Sequence, residues 1–202
     1  MGESQETDGE ERHMEIPQRT LVELLENYES WDDVEEGHRQ QILTVVRQSP
    51  RWWHRRNLPG HVTASGFVTD PSLSFLLLHH HRKLDRWLQL GGHDDGEKDP
   101  RQAVLREVRE ESGLSDFSFF GEGTLFDLDV HTIPDGKKME AHLHLDCRFL
   151  LVADPTAPLA KSEAESKDLG WFPLEEAIDL MNEVGARRVV EKIRSLKSAS
   201  SA

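Results

Sequence analysis

The 202-residue sequence has one cysteine, Cys147, and one tyrosine, and it is short of positive charge. Lysine and arginine total 24 against 38 acidic residues, a formal net charge of −14. A lone cysteine excludes a disulfide within the chain and suits a reducing, cytoplasmic setting. The deficit of positive charge argues against a general nucleic-acid binder, which presents a basic face to phosphates. It leaves room for a small phosphate compound held through a cation. Long hydrophobic runs are also missing. The longest, Leu73 to Leu78, is interrupted by Ser74 and falls far below the ~20 residues that span a bilayer. The opening MGESQETDGEER is acidic and lacks the apolar segment of a signal peptide. Together these absences lead us to expect a soluble intracellular protein with no membrane partner. The 36% of residues that are hydrophobic suffice for one sizeable core and not for two ordinary domains.

Residues 1–13 hold no large apolar side chain and read as a disordered acidic tail, as do 198–202 (SASSA) at the other end. From Ile16 to about Gln48 the apolar spacing is helical: Leu21, Leu24, Leu25 and Tyr28, then Ile42, Val45 and Val46. Ser49-Pro50 closes this region, because a residue before proline is pushed out of the α conformation. Past Leu58-Pro59-Gly60 the character changes. His61–Val68 and Leu73–His80 predict a hairpin across Thr69-Asp70-Pro71-Ser72, and Trp87–Leu90 predicts a short strand ending at Gly91-Gly92. A helix follows over Pro100–Ser112, then strands near Phe117–Phe120, Leu125–Val130 and His142–Val152. Pro173 opens a last helical region to about Lys197, broken near Gly185.

Residues 91–114, GGHDDGEKDPRQAVLREVREESGL, are the most informative. Asp99 is placed to cap the helix, Pro100 to occupy its first turn, Gln102 to complete a capping box, and Gly113 to end it in the left-handed conformation. At 100° per residue Glu107, Glu110 and Glu111 share one narrow sector, beside the sector of Val104, Leu105 and Val108. One reading is a solvated acidic face, since like charges at i,i+4 cost only about 0.2–0.5 kcal/mol. The other is a divalent-cation site of hard oxygen ligands beside a glycine turn.

This stretch resembles the Nudix box: Gly92, then Arg106-Glu107-Val108-Arg109-Glu110-Glu111-Ser112-Gly113-Leu114 in the pattern's order. The resemblance runs from about Pro59 to Lys197 and includes Gly170-Trp171-Phe172-Pro173. One position departs, because Lys98 stands where the pattern has an early glutamate. The resemblance implies an α/β fold, an α/β/α sandwich around a central mixed sheet, here preceded by a helical extension (residues 14–58). It implies Mg2+ or Mn2+ held by Glu107, Glu110 and Glu111 with the Gly91 carbonyl, and Arg106 fixing the carboxylate rotamers. The implied activity is hydrolysis of the diphosphate linkage of a nucleoside-diphosphate derivative, with Glu107 and Glu165 as alternative general bases. Lys98 supports a rival, a Nudix-fold nucleotide-binding protein without turnover. An isomerase of the isopentenyl-diphosphate kind would need Cys147 in the site.

Other residues carry open alternatives. Glu165 falls in a loop and is either a base or an ordinary exposed glutamate. His142, His144 and Asp146 alternate along a strand, roughly 7 Å apart, and form either a metal or phosphate site or simply a polar strand face. With His93 and His131 they are expected at the pocket mouth, making activity sensitive between about pH 6 and 7. Arg82, Lys83 and Arg86, beside Trp87, form either a substrate clamp or a solvated loop. Trp52, Trp53 and Phe126 are given no role. The extension is expected to mediate a homodimer, cover the pocket or enlarge the core.

Overall fold

A computed structural model describes residues 14–136 and 139–200. The expected N-terminal tail lies outside them. The elements are α1 (Ile16–Glu26), α2 (Asp33–Gln48), β1 (Gly60–Thr69), β2 (Phe75–His81), β3 (Arg86–Leu88), β4 (Leu90–His93), α3 (Pro100–Ser112), β5 (Phe117–Phe119), β6 (Asp127–Ile133), β7 (His142–Ala153), β8 (Ser166–Pro173), α4 (Leu174–Met181) and α5 (Val184–Ser200). Among the described residues no helix is long and apolar enough to cross a membrane.

The eight strands make one mixed sheet. β1 runs parallel to β7 from Gly60↔Leu143 to Thr69↔Val152 and antiparallel to β4 through Ala64↔Gly92 and Ser65↔Gly91. β2 joins β1, β3 and β8, while β5 and β6 pair with β7. Strand alternation divides the side chains between two cores. Val62, Ala64 and Val68 of β1, with Leu145, Cys147, Phe149 and Leu151 of β7, pack in one cluster with Val104 and Val108 of α3. Phe67 and Leu150 point the other way, into a cluster with Ile178 of α4 and Val189, Val190 and Ile193 of α5. Helices therefore lie on both faces, as the sandwich requires. Leu21, Leu25, Ile42 and Val46 of the extension, with Trp52, belong to the first cluster, so α1 and α2 enlarge the core.

A buried ion network ties this extension to the rest. Glu35, fully buried, accepts hydrogen bonds from the Tyr28 hydroxyl (2.5 Å), Trp31 N (2.6 Å), Leu128 N (3.0 Å) and Lys192 Nζ (2.5 Å). Asp127, also buried, takes Lys192 (3.0 Å), Arg188 (2.7 Å) and Arg148 (3.2 Å). One cluster thus links the α1–α2 connection, α2, β6, β7 and α5.

Several sequence-based expectations change. The predicted strand over Trp87–Leu90 is two strands, β3 and β4, and β4 continues through Gly91 and Gly92. The 125–130 strand begins at Asp127 and reaches Ile133. The C-terminal break expected near Gly185 falls slightly earlier, at Asn182 in the left-handed conformation, and Gly185 lies within α5. α5 runs to Ser200, through residues expected in a tail. β8 has no counterpart among the expected strands, because Ser166-Lys167-Asp168 opens it with polar residues. The helix is capped by Asp99, which accepts from Arg101 N (2.9 Å), and ended by Gly113 at φ 72°, as expected. The capping box expected with Gln102 is not formed, because the Asp99 side chain is taken up by the Arg101 N–H and guanidinium.

Candidate active site

Helix α3 lies against β4, and this packing sets the geometry. At Gly91 the backbone has φ +149° and a Cβ would meet the Ala64 carbonyl oxygen at 2.5 Å; at Gly92 a Cβ would meet Glu107 Oε1 at 2.5 Å. Only glycine lets the Glu107 carboxylate lie this close to the strand. The Gly91 N–H donates to Glu111 Oε2 (2.9 Å). Beyond these glycines opens a cavity of about 390 Å³ lined by Glu107, Glu111 and Glu165, by Thr63, Ser65 and Asp146 of the sheet, by His79, His81, His93, His131 and His144, and by Arg55 and Lys83.

Glu107, Glu111 and Glu165 each bring a carboxylate oxygen within 4.8 Å of the others. Burial pushes Glu111 up to about 8 against the pull of the Gly91 N–H, and the neighbouring carboxylates of Glu107, Glu165 and Glu110 add to the rise. Burial likewise raises Glu107, opposed by Arg106. Three oxygen donors in mutual repulsion, two of them buried, suit a hard divalent cation, whose charge would favour their ionised forms. The donor set therefore fits Mg2+ or Mn2+.

Glu110 does not join this trio. Its side chain is 59% exposed and pairs with Arg106 at 3.2 Å. Arg106 also reaches Glu107 (3.0 Å), Glu97 (3.2 Å) and the His93 carbonyl (2.8 Å), the positioning geometry implied for it. Lys98 turns away, its Nζ 2.8 Å from Glu15 and 5.4 Å from the Trp53 ring centroid, while Glu97 beside it supplies the carboxylate that meets Arg106. Because both Lys98 contacts are partly exposed, Lys98→Ala is expected to destabilise by no more than about 1 kcal/mol. It should leave hydrolytic activity within about twofold, which thermal melts and initial rates would check.

The proposed clamp is broken up. Lys83 lines the cavity, but Arg82 donates to the Ser166 carbonyl (3.0 Å), and Arg86 is bound to the Met181 carbonyl (3.1 Å) and Glu183 (2.9 Å) beyond α4. Arg55, from the segment before β1, reaches the cavity instead and pairs with Asp95 at 2.5 Å. No motif marks it in the sequence. Asp146 lines the cavity but is held by Thr63 (3.0 Å), Ser65 (2.9 Å) and Arg148 (2.9 Å), and it does not join His142 and His144 as a possible metal ligand. Those two gather with His61, whose place in a run rich in apolar and β-branched residues predicts only a strand. The expected titration near pH 6–7 fails for His93 and His144. Burial first, and then neighbouring positive groups, depress them to about 4 and about 2. Cys147 is fully buried in the core, with its thiol pushed up by burial, and the isomerase alternative falls with it.

A family model described as the NUDIX domain matches residues 59–193. The chain belongs to the Nudix family. It is a Nudix hydrolase, an enzyme acting on diphosphate linkages, and Nudix hydrolases generally need a divalent metal. The Nudix fold is matched by a Caenorhabditis elegans Ap4A hydrolase binary complex at 17% identity, with a TM-score of 0.55, covering 68% of this chain and 98% of that one. The Escherichia coli dihydroneopterin triphosphate pyrophosphohydrolase matches at 15% identity and a TM-score of 0.51, covering 65% of this chain and 92% of its own. No curated protein matches this Nudix chain.

Proposed function

We propose that this Nudix hydrolase cleaves the diphosphate linkage of a nucleoside-diphosphate derivative with Mg2+ or Mn2+. The observation that carries the reading is the convergence of Glu107, Glu111 and Glu165 within 4.8 Å at the cavity wall. The two structural neighbours, by their names, act on Ap4A and on dihydroneopterin triphosphate, which supports a phosphoanhydride-bearing substrate. Bound there, the cation would neutralise the diphosphate and lower the pKa of an attacking water. Glu107 and Glu111 would hold it, and the Gly91 N–H would orient Glu111. Glu165, the exposed member of the trio, would accept the proton of the attacking water. Arg106 would keep Glu107 and Glu97 in place, with Glu110 at the rim. Arg55 and Lys83 would receive the remaining negative charge of the substrate.

The test is release of phosphate or nucleotide product from a panel of nucleotide sugars, dinucleoside polyphosphates and nucleoside triphosphates, with and without metal. Hydrolysis of at least one class, dependent on Mg2+ or Mn2+, is expected. Nucleotide binding by calorimetry with no product under any metal would favour a protein that only binds.

A further inference from the structure

The geometry points to a second metal site, in which His61, His142 and His144 bind one zinc-class divalent cation apart from the carboxylates. His61 is fully buried on β1, and neither of its ring nitrogens has a hydrogen-bond partner. An imidazole so placed lacks the partner that buried polar groups almost always find. The parallel pairing of β1 with β7 sets His61 directly opposite His144, and His142 lies two residues along the same strand face. The three ring centroids are 5.0–5.4 Å apart, and one ring nitrogen from each lies within 4.8 Å of the other two.

The orientation of His142 is also that of a ligand. Its Nδ1 is 2.8 Å from the Glu140 carbonyl oxygen. A carbonyl only accepts, so Nδ1 carries a proton, and in the neutral ring, the form that binds metal, Nε2 has the free lone pair. Three imidazoles suit Zn2+ and its transition-metal neighbours, whereas Mg2+ and Mn2+ prefer the oxygens of the glutamate trio. Tetrahedral Zn–N bonds of about 2.0–2.1 Å bring the nitrogens to roughly 3.3 Å from one another. That contraction falls to the side chains, because the strand register holds the backbones. A three-histidine set leaves one coordination position open. His144 lines the same cavity as Glu107 and Glu111, and the open position would receive a water or a phosphate oxygen from that side.

The test uses the full chain without a polyhistidine tag, stripped with chelator, loaded with Zn2+, dialysed and analysed for bound metal. The Glu107→Gln/Glu111→Gln double variant is treated in parallel. The proposal expects one zinc per chain in the double variant, and a visible band of tetrahedral nitrogen-ligated cobalt when Co2+ replaces zinc. His144→Gln, at a half-buried position, should remove that band and weaken zinc binding at least about tenfold, the scale seen when a metal site loses even a supporting partner. Three results would overturn the proposal: no zinc retained by wild type, zinc lost in the double glutamine variant, or zinc binding indifferent to both His144→Gln and His142→Gln. The last would place the metal elsewhere, for example at His79–His81. If His144→Gln fails to fold, the cobalt band of the double glutamine variant decides, and its absence counts against the site.

Discussion

Glu111→Gln is expected to lower kcat/KM by about 10²–10³-fold, or about 2.7–4 kcal/mol of transition-state stabilisation, the scale for removing one fixed charge-stabilising group from an active site. The amide keeps the shape and can still accept from the Gly91 N–H, but it brings no charge to a cation. The metal-free variant should be no less stable than wild type. Burial, with the neighbouring carboxylates adding to it, pushes Glu111 up to about 8, so at neutral pH the metal-free fold must either take up a proton or hold a buried charge, and the amide avoids both costs. Activity and stability should therefore move in opposite directions. Glu110→Gln is the contrast: a side chain 59% exposed and held by Arg106 should matter at least tenfold less. Steady-state rates and metal-free melts on both variants check this. An active Glu111→Gln enzyme, or equal losses in the two, would show that the metal is held elsewhere.

The second large effect concerns stability. Glu35→Ala should destabilise the fold by about 2–4 kcal/mol, because it leaves the Leu128 N–H buried without an acceptor and removes one of the two carboxylates that neutralise Lys192, which keeps Asp127. For a chain of this size that lowers Tm on the order of ten degrees. Glu35→Gln should cost less, since an amide oxygen can still accept from Tyr28 or Leu128 N. Urea unfolding would measure both, and a Glu35→Ala loss below about 1 kcal/mol would sink the reading. The same network shapes the acid response. Burial alone would raise Asp127, but the Arg188 hydrogen bonds and the charges of Arg148 and Lys192 overcome it and hold the carboxyl below its ordinary range. Its folded pKa is thus below the unfolded value of about 3.9. The stability it contributes is complete above that value and is lost as pH falls through the folded pKa. Urea midpoints should accordingly drop as pH falls from about 4 toward 3, and a flat profile over that interval would contradict this assignment.

Where the sequence was legible, a local rule applied. Asp99, Pro100 and Gly113 delimit α3 because capping and left-handed termination are settled within a few residues. The alternation of β7 places Cys147 in the core by the same logic. Where it was not, the deciding partner lay far along the chain. Arg86 reads as a neighbour of the glycine turn, yet Met181 and Glu183 hold it. β8 opens with Ser166-Lys167-Asp168, which shows no alternation, and pairing with β2 makes it a strand. His61 sits in a run rich in apolar and β-branched residues, and only the parallel register with β7 reveals that it faces His144.

By itself the sequence determined the family pattern and the carboxylate helix, because glutamates three and four residues apart on a capped helix share a face whatever surrounds them. The tertiary structure alone decided that Glu107 and Glu111 converge with Glu165 while Glu110 turns to the rim. It also moved Lys98 out of the site and gathered three histidines from two strands. These outcomes depend on which strands lie side by side, and strand pairing joins residues whose separation along the chain leaves no local trace.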